Sequence, residues 1–249
     1  SIFTNAASMS STNAMNKATG SLNVAMQRLG TGKRINSAAD DAAGLQIATR
    51  LQAQSNGMGV AKQNIAKATA MMQTAEGAFD EVNNILYRMK DLATQAADDT
   101  NSDDDRAAIT SEFGELNSEL ENIMSNTSYG TEKLLSSVSG NVSGKLTQEL
   151  QFQIGASTDE TLKVNFGADM TKVTDSLKTL LDSDLSSATG GHTAIDELNT
   201  AIKDVGSTRS SLGATINRLG NTGANLANMQ DNTYSNLGHI CAADFAHHA

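Results

Sequence analysis

Apolar residues recur along most of this chain at alternating three- and four-residue intervals, the spacing of helices that pack side by side. The signal is strongest from about Leu45 to Ala97. Positions 51, 58, 65, 72, 79, 86 and 93 read Leu, Met, Ile, Met, Phe, Leu and Ala, while 61, 68, 75, 82, 89 and 96 read Ala, Ala, Ala, Val, Met and Ala. This heptad seam predicts one near-continuous helix over 45–97, about 80 Å long at roughly 1.5 Å per residue, coiling left-handedly against other helices. A second stripe, Ile109, Phe113, Leu116, Leu120 and Ile123, predicts a helix over 106–125 that turns back on the first. A third, from Ile195 through Leu198, Ile202, Val205, Leu212, Ile216 and Leu219 to Leu226, predicts a helix over 193–235, its stripe interrupted by Arg209.

The remaining segments are weaker. Residues 1–35 carry a diluted stripe at Ala18, Leu22, Met26 and Leu29 among Ser, Thr, Asn and Gly, so their helix is expected to be marginal and to need a partner. Ser37, with a carboxylate three residues on at Asp40, is a possible cap for the second helix, and the acidic run Asp98–Asp105 places carboxylates at the start of the third. After Asn126 the chain becomes rich in Ser, Gly and Thr, and two short alternations, Leu150, Phe152, Ile154 and Leu162, Val164, Phe166, predict a small β-hairpin. The layout is therefore three helices, a small β insert and a final helix. The fold class is mainly α, an elongated antiparallel helical bundle or coiled-coil rod that sets the chain ends side by side.

Composition sharpens this picture. The 249 residues include no Pro, no Trp and only 6 Phe and 3 Tyr, which suits uninterrupted helices with narrow, small-residue interfaces. A net charge of -10 with Lys and Arg scattered singly offers no basic stripe for phosphates, so nucleic-acid binding is not expected. No apolar run of about 18 residues could span a bilayer, and SIFTNAASMSSTNAM has neither the basic region nor the apolar stretch of a secretory signal. No membrane partner is expected. The single cysteine, Cys241, excludes an intramolecular disulfide framework.

Candidate chemistry is sparse. His239, Cys241, His247 and His248 cluster in sequence, but at spacings that fit no standard zinc template, and no H-E-x-x-H occurs. The acidic run lacks the glycine and terminal glutamate of a calcium loop. Met58, Met72 and Met89 lie on the seam and read as core filler. His192 sits in a Gly- and Thr-rich stretch read as a loop, with no nucleophile motif nearby, and no phosphate-binding glycine loop is present. No catalytic residue, metal or cofactor is nominated, and the chain is not read as an enzyme. Leu92 stands apart, placed off the seam on a face shared with Arg88 and Gln95. It is either a lone exposed leucine or part of a second interface.

The stretch QRLGTGKRINSAADDAAGLQIATRL at 27–51 resembles the N-terminal hallmark of bacterial flagellins. SIFTNAASM at 1–9, LYRMKDLATQAADDTNS at 86–102, LQFQIGA at 150–156 and RSSLGATINRL at 209–219 support it in the family's order. The resemblance implies an inner-tube helix over 1–36, a rod over 37–137 and 191–236, and a β-containing insert over 138–190. It implies a secreted, extracellular subunit that polymerises with itself into the flagellar filament for motility, exported through the flagellar type III apparatus. Cap and hook-junction proteins, an export chaperone and Toll-like receptor 5 are the further partners it implies. Leu22, Met26 and Leu29 become candidates for inner-tube packing, and Arg88, Leu92, Gln95 and Glu112 for a receptor or subunit interface. The end of the chain, GHICAADFAHHA, departs from the family's G-R-I-x-D-A-D-F-A and the long helix that follows it. Residues 237–249 are therefore read as an atypical, truncated tail. Without the usual C-terminal helix, residues 1–35 are expected to be disordered in the free monomer, and the chain is expected not to form a stable filament by itself. A hook-filament junction protein or another type III-exported rod is the alternative reading.

Overall fold

A computed structural model describes residues 2–140 and 143–242. Among the described residues five α-helices carry the fold: α1 (Ile2–Thr31), α2 (Ala42–Ala96), α3 (Asp103–Asn126), α4 (Gly167–Leu181) and α5 (Ala188–Cys241). Between α3 and α4 lie two antiparallel hairpins, β1 (Ser128–Tyr129) with β2 (Glu132–Lys133), and β3 (Glu149–Gln153) with β4 (Thr161–Asn165). The 55-residue α2 runs without a break because nothing in its sequence breaks it. It has no proline, and its four glycines, Gly44, Gly57, Gly59 and Gly77, are too few among 55 residues of apolar repeat to break it. By contact the chain divides into two compact units, Ser1–Val60 with Leu226–Ala249, and Ala61–Asn225.

In the first unit α1 stands almost uncovered. Every side chain from residue 6 to residue 24 is exposed. Its threonines turn inward along the helix, as where the Thr12 and Thr19 hydroxyls donate to the carbonyls of Ser8 and Met15. The helix ends at Gly32, whose φ of 68° closes the last turn as its N–H donates to the Arg28 carbonyl. The following loop is tied at two points. Asp40 accepts from the N–H groups of Asn36 and Ser37 and from the Ser37 hydroxyl. Arg34 donates from its backbone N–H to the Cys241 carbonyl and from its guanidinium to that of Ile240, capping the end of α5. The cap of α2 is Asp41, whose Oδ1 accepts from the Gly44 N–H at 2.8 Å. The expected Ser37–Asp40 box instead knots the loop one turn earlier. Along this unit α2 and α5 meet where the Gln230 amide donates to the Ser55 carbonyl.

In the second unit the register of α2 and its partners is antiparallel on both sides. Arg106 and Glu112 of α3 face Ala96 and Arg88 of α2, while Gly191 and Arg209 of α5 face Ala97 and Glu76. The seam is buried as its spacing predicts: Met72, Ala75, Phe79, Val82, Leu86, Met89, Ala93 and Ala96 have no exposed surface. Alanine at seam positions 61, 68, 75, 93 and 96 lets the helix backbones approach closely, so few aromatic residues suffice to fill the core.

The predicted hairpin is present, with Leu150 opposite Val164 and Phe152 opposite Leu162. Three expectations are corrected. The insert carries a helix, α4, whose buried Met170, Val173, Leu177 and Leu180 follow helical spacing. Residues 128–133 form a further small hairpin around Gly130, at φ 64°. His192 lies within α5 rather than in a loop. The helix expected from the diluted N-terminal stripe is present as Ile2–Thr31, and among the described residues nothing covers its side chains from residue 6 to residue 24.

Candidate functional site

Two surfaces present themselves. The first is the apolar stripe of α1, where Met15 (69% exposed), Leu22 (58%) and Met26 (60%) fall within an arc of about 40° at 100° per residue. Leu29, one turn on, is half-buried. Side chains of this size are not left in water on one helical line without an energetic cost, roughly 1.5 kcal/mol or more for each when fully uncovered. The stripe therefore favours any partner that covers it.

The second surface lies where α2 and α3 run side by side. The Arg88 guanidinium donates through Nε and Nη2 to Oε1 of Glu112, at 3.1 and 2.5 Å. Both side chains remain about half exposed, at 51% and 48%, so the pair is a weak brace for the monomer and an available polar feature for something else. Gln95 is exposed on the same helix. Leu92 is not, and its expected place on an open polar face is corrected: it is 2% exposed. At 100° per residue it lies only about 40° from Ala96 and 60° from Met89. Arg88 and Ala96, one turn to either side of it, both bond to α3. α2 has two neighbours here, so its buried arc is wider than the single seam read from the heptad.

Sequence spacing missed the residues that lock these elements. Arg209, which appeared only to interrupt the α5 stripe, donates to Glu76 at 2.7 Å and pairs with Asp80 at 2.9 Å across to α2. The hydrogen bond to Glu76 and the two carboxylate charges hold its proton more tightly than usual, against the cost of burial. Arg106 is nearly buried and donates to the Ala96 carbonyl at 2.6 Å and that of Asp98 at 2.8 Å, closing the end of α2. The acidic run is a helix start: Ser102 and Asp105 form a capping box, and the bonds from the Ser102 hydroxyl and N–H lower the Asp105 carboxyl below its ordinary value. The Asp98 carboxyl is lowered by the Thr100 N–H. Among the described residues no group of three or more His, Cys, Asp or Glu could hold a metal, and no helix is long and apolar enough to cross a membrane. His247 and His248 lie outside the described residues.

Long antiparallel helices with an Ala-rich seam, a bare apolar stripe and charged braces define a mainly α, bundle-forming protein. The N-terminal helical region of bacterial flagellin matches residues 2–140 and the C-terminal helical region matches 195–249; the chain belongs to the bacterial flagellin family, a family of structural proteins and not of enzymes. It is 47% identical over 161 residues to Flagellin A of Vibrio anguillarum, covering 65% of this chain and 40% of that protein. It is 45% identical over 163 residues to Polar flagellin F of Vibrio parahaemolyticus, covering 66% and 41%. The chain thus spans about two fifths of the length of these relatives. In fold it is similar to a flagellin from Bacillus cereus, with a TM-score of 0.55 and 24% identity over 66% of this chain and 88% of that one. It is also similar to a putative flagellar hook-associated protein from Vibrio parahaemolyticus, with a TM-score of 0.67 and 14% identity over 82% and 100%.

Proposed function

We propose that this chain is a structural subunit of the extracellular bacterial flagellar filament, joining copies of itself through the apolar stripe of α1. The observation that carries this reading is the line of Met15, Leu22 and Met26, exposed on a helix whose neighbours bury residues of the same kind. The family match supports it, as does the absence from the sequence of any recognisable reaction chemistry. The cap, the hook-junction proteins and an export chaperone are the other partners of this reading. The hook-junction alternative shares the fold; the match to both flagellin regions and the identity to Vibrio flagellins favour the filament.

The test is incorporation. Labelled chain is offered to growing filaments of a similar Vibrio flagellin, and imaged alone by electron microscopy at high concentration. The parent chain should enter the filaments, though it is not expected to form stable tubes alone, whereas Leu22→Asp with Met26→Asp should fail to enter while keeping its helix content. A parent chain that neither incorporates nor self-associates at any concentration defeats the proposal.

A second reading, recognition by Toll-like receptor 5, is favoured by the half-exposed Arg88–Glu112 pair beside exposed Gln95. Leu92 would serve it from beneath, by setting the α2–α3 contact. Arg88→Ala with Gln95→Ala should reduce receptor reporter signalling at least about tenfold, as expected for the loss of about 1.4 kcal/mol of contact energy. Helix content should not change. Undiminished signalling by the double variant removes this surface from consideration.

A further inference from the structure

The ten methionines fall into two sets. Met58, Met71, Met72, Met89, Met124 and Met170 are buried, none more than 8% exposed, whereas Met9, Met15, Met26 and Met229 are 62%, 69%, 60% and 40% exposed. Three of the four open ones lie on α1, and two of those, Met15 and Met26, flank Leu22 on its exposed apolar stripe. Met9 sits about 120° round the helix from Met15. We infer that Met15 and Met26 are an oxidative modification site, at which a peroxide converts the α1 stripe from an apolar face into a polar one and so withdraws it from association.

The chemistry balances simply. The thioether sulfur donates a lone pair to one oxygen of hydrogen peroxide; the O–O bond breaks as the S–O bond forms, and water leaves after proton transfer. Sulfur is oxidised by two electrons and the peroxide is reduced by two. The product sulfoxide is polar and accepts hydrogen bonds, the change that disrupts methionine-rich interfaces, and methionine sulfoxide reductases can reverse it. Selectivity comes from the fold, because the buried methionines have no open line to the oxidant. The chain has no Trp to compete, and its one thiol, Cys241, is only partly exposed. The part of this inference that concerns association rests on the proposed self-assembly through α1.

The experiment treats the whole chain with limiting hydrogen peroxide and maps sulfoxides by peptide mass spectrometry. Met9, Met15 and Met26 should oxidise about tenfold or more faster than the six buried methionines, as expected from their difference in access. Retention on a phenyl column, which reads the apolar face without requiring assembly, should fall on oxidation in the parent and in Met9→Leu. It should persist in Met15→Leu with Met26→Leu. Incorporation into filaments should follow the same order. Equal oxidation of α1 and core methionines overturns the inference, as does an equal loss of retention in the Met15→Leu, Met26→Leu variant. If untreated chain fails to incorporate while oxidation and retention behave as stated, the filament reading fails and the modification site stands.

Discussion

At Leu92 the difference between reading a residue by its neighbours in sequence and by its neighbours in space is sharpest. The polar Arg88 and Gln95 that share its face suggest an open surface; its burial makes it core. Leu92→Ala should therefore lower stability by about 2–5 kcal/mol in denaturant titration, the cost of a lost side chain plus a cavity. Leu92→Asp should be worse, because it buries an unpaired charge, so its effect on any partner could not be separated from unfolding. Arg209→Met should cost only about 0.5–1 kcal/mol by the same measurement, since the two carboxylates that lose their partner are open enough to water to be rehydrated. The exposed capping carboxylate of Asp105 predicts a pH effect of definite sign. Its pKa is lowered in the folded chain, so its contribution is complete above the ordinary carboxylate value of 3.8 and disappears as pH falls below it. Asp105→Asn should remove that part of the acid sensitivity of α3, followed by circular dichroism between pH 5 and 2.

For whole elements, legibility tracked length and regularity. The α2 seam could be read almost residue for residue, because a long heptad repeat has few alternative explanations. The β3–β4 hairpin was legible from alternation alone. α4 was not, since fifteen residues beginning Gly-Ala-Asp follow directly on a strand pattern, and composition there suggests a loop. The candidate surfaces were legible in part. Spacing found the α1 stripe and, with the family resemblance, Arg88 and Glu112. The braces Arg106 and Arg209 were hidden, because each bonds to residues whose proximity only the fold creates. The segment 134–138 is similar: Leu134, Leu135 and Val138 are buried in a loop that no periodicity marks. Gly144 is essential to it, because a Cβ there would collide with the Leu134 carbonyl oxygen and the Leu135 carbonyl group. Gly144→Ala should destabilise the second unit, seen as a lower melting temperature, while the exposed Gly114→Ala, with nothing near its Cβ, should stabilise α3 by about 0.5–1 kcal/mol.

For the molecule as a whole, the bonds that join its helices differ greatly in sequence separation. Arg88 and Glu112 are 24 residues apart, whereas Glu76 and Arg209 are 133 apart and Ser55 and Gln230 are 175 apart. Closing the longer loops costs more chain entropy before any contact repays it. This difference predicts an order of events during folding, in which α2 and α3 pair early and α5 arrives last, after all the intervening chain. Leu120→Ala should accordingly slow refolding, while Leu212→Ala should leave the refolding rate nearly unchanged and accelerate unfolding. Stopped-flow measurements of both limbs distinguish the two. Until its last helix arrives, the α2 seam has one side open to water, and the newly made chain is most exposed to misassociation in that interval.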